Sequence, residues 1–124
     1  MAKGDDIQAR LVRFAVTVAT LCEGLPKTAL ANQANGQMLR SATAAPSNYA
    51  EARGAESRND FVHKLGITFK ELNETEVWLS ILLEKRVLLE SELRPVLQEC
   101  KELCKIIAAS RSTARRGLKS TPQT

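Results

Sequence analysis

An all-α, antiparallel up-down-up-down four-helix bundle is the fold this sequence predicts, on three observations. Apolar residues recur at helical spacing in four successive blocks, while no alternating apolar and polar pattern persists beyond a few positions. The composition is 44% hydrophobic and 26% charged but only 4% aromatic, as in helical proteins built from Leu, Ala, Val, Glu, Lys and Arg. The links between blocks are short, which makes neighbouring helices antiparallel. At 124 residues the chain can bury one core but is too short for two.

The first helix is expected over about 6–23. Ile7, Leu11, Phe14, Val18 and Leu21 step by four and three, and Asp5 or Asp6 is available as the N-cap. Gly24 followed by Pro26 supplies a stop. The second helix, about 28–54, begins at a Thr28 cap and presents Leu30, Ala34, Met38, Ala42, Ala45, Tyr49 and Ala52 on one face, ending near Gly54. That face is small, so neighbouring axes can approach it closely. Its stretch RSATAAPSNYAEARG, residues 40–54, carries Pro46, which has no amide to donate and crowds the carbonyl of Ala42. Arg40, Asn48 or a neighbouring subunit is the expected donor to the freed carbonyl.

The third helix, about 58–86, opens at Ser57 with Asp60 three residues on, and keeps a 4, 3 rhythm through Phe61, Leu65, Thr68, Leu72, Thr75, Leu79 and Leu82. It would be roughly 43 Å long at about 1.5 Å per residue, giving an elongated bundle. The fourth, about 92–111, follows a link near Leu89 to Ser91 and carries Leu93, Leu97, Cys100, Cys104 and Ile107, with Pro95 confined to its first turn. The bundle domain is thus 1–111, and residues 112–124 read as a flexible basic tail.

The chain's net charge is +4. Lys105, Arg111, Arg115, Arg116 and Lys119 put +5 into residues 105–124, where no acid occurs, so the rest carries −1. Such a segment suits phosphates or another anionic surface, or else a solvated helix end whose cations complement the helix dipole. Arg53, Arg58, Lys85 and Arg86, at the bundle ends, join Arg111, Arg115, Arg116 and Lys119 as candidates for contacting RNA or DNA.

Metal and nucleophile chemistry find little support. Cys22, Cys100 and Cys104 are an odd number, and His63 is the single histidine, too few ligands for a zinc site or for a Glu-x-x-His di-iron site. Ser41 has no histidine in a recognisable arrangement, and no glycine-rich phosphate loop occurs. No catalytic residue, metal or cofactor is therefore expected. No stretch approaches 18 uncharged apolar residues and MAKGDD lacks an apolar signal core, which places the expected protein in the cytoplasm with no membrane partner.

The run QMLRSATAAPSNYAEARGAESRNDFVHKLGITFKELNETEVWLSIL, residues 37–82, resembles the S23-like four-helix-bundle proteins encoded in intervening sequences of bacterial 23S rRNA genes. Gln37, Arg40, Ser41, Asn48, Glu51, Phe61, Leu65, Glu71, Leu72, Glu74, Thr75, Trp78 and Leu79 fall on that family's pattern, whereas Ala44 and Ser47 depart from it. The resemblance implies a homo-oligomeric ring, a homopentamer, with no established enzymatic activity. It also implies kinship with basic pentameric accessory proteins of diversity-generating retroelements, which engage nucleic acid and a reverse transcriptase. Gln37, Arg40, Ser41, Asn48, Glu51, Glu71 and Glu74 are the expected interface residues, with Arg40 meeting Glu71 and Glu74 within a subunit or across a boundary. Two functions stay open: weak electrostatic RNA binding, or a structural adaptor docking a protein partner.

Overall fold

The computed structural model describes residues 3–120 and the side chains of residues 4–118. Four helices follow one another: α1 Lys3–Glu23, α2 Ala29–Arg53, α3 Arg58–Lys85 and α4 Glu90–Ser120, with no strand among the described residues. Contact is most extensive between α2 and α3, then between α3 and α4 and between α1 and α2; α1 and α4 touch least. Each helix therefore packs on its neighbours in sequence, and α4 returns to α1 to close the bundle.

Local chemistry sets the helix ends. The Thr28 hydroxyl accepts from the Ala31 amide at 3.2 Å and the Ser57 hydroxyl from the Asp60 amide at 3.0 Å, each satisfying a first-turn donor that has no partner within the helix. The α3–α4 link turns at Arg86, whose φ of 57° is the left-handed conformation that ends α3, and its amide returns to the carbonyls of Leu82 and Leu83.

The core follows the seams of the sequence rhythm, with Leu103 added and Ile7, Leu21, Leu30 and Phe61 only half-buried at its margin. Leu11, Val18, Ala34, Met38, Ala42, Ala45, Leu65, Leu72, Leu79, Leu82, Leu93, Leu103 and Ile107 have no exposed surface. Three hydroxyls are buried with them: Thr68 donates to the Lys64 carbonyl at 3.0 Å, Ser41 Oγ and Thr75 Oγ1 lie 2.6 Å apart across the α2–α3 seam, and Thr75 donates to the Glu71 carbonyl at 2.9 Å. Ser41 Oγ also lies 3.2 Å from the Met38 carbonyl, so whichever hydroxyl donates across the seam, both buried groups are satisfied.

Three expectations are corrected. The first helix begins at Lys3, so Asp5 and Asp6 are not caps but lie in its first turn, where carboxylates still complement the dipole. Helix α4 begins at Glu90, which puts Pro95 in its second turn; the carbonyl that Pro95 deprives of a donor belongs to Ser91, an exposed residue that water can serve. Residues 112–120, expected as a flexible tail, continue α4 to Ser120. The seam rhythm persists there as Ile107, Arg111, Ala114 and Leu118, stepping 4, 3, 4, with Ala114 only 3% exposed. An arginine and an alanine at seam positions hid that continuation. The remainder of the expected tail, 121–124, lies outside the described residues.

Pro46 does not break α2. The long-range contact there is not to the Ala42 carbonyl, for which a donor was expected, but to Pro46's own carbonyl, which accepts from Gln8 Nε2 of α1 at 2.9 Å. Asn48, one of the expected donors, gives its amide instead to the Ala44 carbonyl at 2.9 Å.

Candidate nucleic-acid interface

The up-down topology gathers the C-terminal ends of α2 and α4 and the N-terminal ends of α1 and α3 at one end of the bundle. Arg53, Arg58, Arg111, Arg115 and Arg116 all belong to that end, while Lys85 and Arg86, exposed at the close of α3, belong to the other. The basic candidates are thus not one surface.

Two glycines shape the basic end. At Gly66 of α3, an added Cβ would lie 2.9 Å from Nη2 of Arg111 and 3.0 Å from its Cζ, so the guanidinium of α4 lies across the bare backbone of α3. Its Nε points to the Val62 carbonyl at 3.4 Å. At Gly117 of α4 the converse holds, with Arg58 of α3 passing at 3.4 Å from the same hypothetical atom. Each helix removes a side chain where the other sends an arginine, and the two cations are drawn onto the α3–α4 seam.

Beside them is a cleft of about 240 Å³ lined by Phe69, Ala108, Arg111, Ser112, Arg115 and Arg116. Arg116 is held along α4, donating to the Ser112 hydroxyl and the Thr113 hydroxyl at 3.2 Å each. None of Arg111, Arg115 and Arg116 has a carboxylate partner among the described residues. Three cations without internal counter-ions leave a concentrated positive potential at one place on an otherwise nearly neutral body. The side chain of Lys119 lies outside the described set.

A Gly66→Ala change separates packing from charge placement. Alanine favours a helix interior by about 0.5–1 kcal/mol, and only a flexible guanidinium has to yield, so thermal unfolding should shift upward. Displacing Arg111 should at the same time weaken phosphate binding in an anisotropy titration. Loss of stability would show that Arg111 cannot move aside.

Of the other basic candidates, only Arg53 is held in an ion pair among the described residues. Arg53 pairs with Asp5 at 2.5 Å, tying the end of α2 to the start of α1. Of the family-pattern residues, Arg40 reaches Glu71 Oε2 at 2.8 Å and Glu74 Oε1 at 2.7 Å within the chain. Hydrogen bonds to both carboxylates raise its pKa further above an already high value, so its charge is permanent. This bridge locks the register of α2 against α3 without needing a second copy. Glu51 pairs with Lys64 at 3.0 Å, also between α2 and α3, and Gln37 stands exposed on α2. The pattern residues therefore describe one long α2–α3 seam, with Ser41 and Thr75 inside it and the charged groups along its rim.

The thiols are buried: Cys100 has no exposed surface, and Cys22 and Cys104 are 7% exposed. Cys100 donates to the Leu72 carbonyl at 3.3 Å. The neighbouring Cys104 thiol and burial together push the Cys100 thiol up. Closed in by α3, neither sulfur is placed to meet a substrate. Among the described residues, no group of three or more His, Cys, Asp and Glu side chains is arranged to hold a metal, and no helix is long and apolar enough to cross a membrane.

Phe69, Ser112 and the two seam glycines are the parts of this cleft that sequence reading passed over, as was Gln8 at Pro46. A glycine inside a strong helical pattern was the available signal, since it marks a close approach by something else.

Comparison with known proteins places the geometry in context. A family model described as 23S rRNA-intervening sequence protein matches residues 6–109. The crystal structure of a protein of unknown function from the S23 ribosomal protein family of Bacteroides thetaiotaomicron VPI-5482 superposes with a TM-score of 0.78 at 29% identity, covering 90% of this chain and 99% of that one. Among curated proteins, none matches. The family match stops just short of Arg111, so three of the cleft's six lining residues are arginines that lie beyond it.

Proposed function

Since this chain belongs to the 23S rRNA-intervening sequence protein family, we propose that it is a non-catalytic helical-bundle protein that binds RNA electrostatically at the basic end of α4. The observation that carries this reading is the cluster of Arg111, Arg115 and Arg116 around one cleft with no carboxylate partner among the described residues. Arginine is suited to phosphate, because its planar fork offers two parallel donors and keeps its charge at every physiological pH.

Self-association is part of the same proposal. Val12 and Val16 on α1, 46% and 60% exposed, and Val77 on α3, 57% exposed, give the chain apolar surface for copies of itself, and the family resemblance supports a pentamer. Several copies would multiply a weak contact through avidity. The exposed valines equally suit an adaptor that docks another protein, which is the alternative.

Equilibrium binding to a mixed-sequence RNA, measured between 50 and 200 mM salt, tests the proposal. Affinity should fall as a straight line in log–log form, with little dependence on sequence. Binding insensitive to salt, or absent altogether, favours the adaptor. Substituting arginines is a cleaner probe than deleting 112–124, because deletion would also remove buried Ala114.

A further inference from the structure

The basic surface on α4 is short. Arg111 to Arg116 spans about 7.5 Å of axis at about 1.5 Å per residue, a reach of only a few phosphates of a strand. Further along the α3–α4 seam it ends: Cys104 is packed against Asn73 at 3.6 Å and Glu76 at 3.8 Å, so the polar groups that follow are a neutral amide and then a carboxylate. A strand following the seam would leave the arginines and run into a negative charge. The geometry is that of a point, not a track.

The point is also concave and partly prearranged. Arg111 is seated across Gly66, and Arg116 is held by Ser112 and Thr113. Each guanidinium carries five donors, so both keep donors free for a ligand, and Arg115 stands beside them without a carboxylate. Such a set matches a group with more charge and more acceptor oxygens than a phosphodiester offers. A diester has one charge and two free oxygens, whereas a monoester carries nearly two charges at pH 7 and three strong acceptor oxygens.

Resting on the RNA-binding reading above, we infer that the cleft lined by Arg111, Ser112, Arg115 and Arg116 is a site for a phosphate monoester, the chemistry shared by the 5′ end of a nucleic-acid strand and a mononucleotide. The family match ends at residue 109, so Arg111, Ser112, Arg115 and Arg116 lie beyond the matched segment. The lining holds no His, Asp, Glu or Cys, so a change of affinity between pH 5 and 8 reports the ligand's own second ionisation near pH 6.

The test compares a short RNA bearing a 5′-phosphate with the same RNA bearing a 5′-hydroxyl, and competes each with adenosine monophosphate, by anisotropy on the full chain. The phosphorylated strand should bind about tenfold more tightly at pH 7 and lose that advantage at pH 5. The advantage should also shrink in Arg115→Lys, which keeps charge but loses the bidentate fork, and in Ser112→Ala. Competition by adenosine monophosphate at equal concentration would support the site and identify its occupant as a small nucleotide. Equal, salt-sensitive binding of both strands would overturn the monoester site and leave the RNA reading standing. Binding of neither strand would overturn both.

Discussion

Leu72→Ala should lower the stability of the bundle by about 3 kcal/mol, within the roughly 2–5 kcal/mol seen for buried leucine truncations. Leu72 has no exposed surface and sits midway along α3, the helix that packs most extensively against both α2 and α4. The cost has two parts: lost transfer of the removed methyl and methylene groups, and a cavity that long, mutually braced helices cannot close. The Leu72 carbonyl also accepts from Cys100, so collapse of α3 toward the void would disturb that bond. Urea or thermal unfolding at fixed protein concentration should show it, with the melting point falling on the order of 10 °C for a chain of this size. A loss below about 1 kcal/mol would mean that the core is looser than the burial implies.

The largest effect on binding is expected from reversing Arg115 and Arg116 together to glutamate. A charge-assisted hydrogen bond contributes about 1.5–3 kcal/mol, so two of them correspond to about 10²–10⁴ in affinity for RNA. Folding should hardly change. Neither side chain is part of the core, and acids near the C-terminal end of a helix cost at most about 1 kcal/mol each through the dipole. Retention of RNA binding at the original strength would move the interface away from α4.

Most of the architecture was legible in the sequence because burial imposes a period. Leu65, Thr68, Leu72, Thr75, Leu79 and Leu82 all lie inward, and Thr28 and Ser57 cap the helices they were expected to open. The charged bridge was legible for a related reason: Arg40 lies on a polar stripe of α2 and finds Glu71 and Glu74 on the facing stripe of α3. What stayed hidden were places where a long-range partner replaces a hydrophobic one. The rhythm of α4 stops at Arg111 only when its seam positions are required to be apolar; Gly66, 45 residues earlier, is what lets an arginine occupy one. Pro46 poses the same problem, since the group that meets its carbonyl is Gln8, 38 residues away on another helix. No local pattern encodes either contact.

The chemical reading was less legible than the fold. Net charge pointed to residues 105–124 but could not say that Arg53 would be taken up by Asp5, nor that Lys85 and Arg86 would lie at the opposite end from Arg111. Topology sorts those cations, and topology follows from four helices of 21, 25, 28 and 31 residues folding back on one another.

The most direct test of the interface is the slope of log affinity against log salt for a single-stranded RNA, measured for the natural chain and for Arg115→Ala/Arg116→Ala. Each phosphate contact contributes about −0.7 to that slope, so losing two should flatten it by about 1.4 while the melting temperature holds. Identical slopes in the two proteins would contradict a phosphate-binding role for the end of α4.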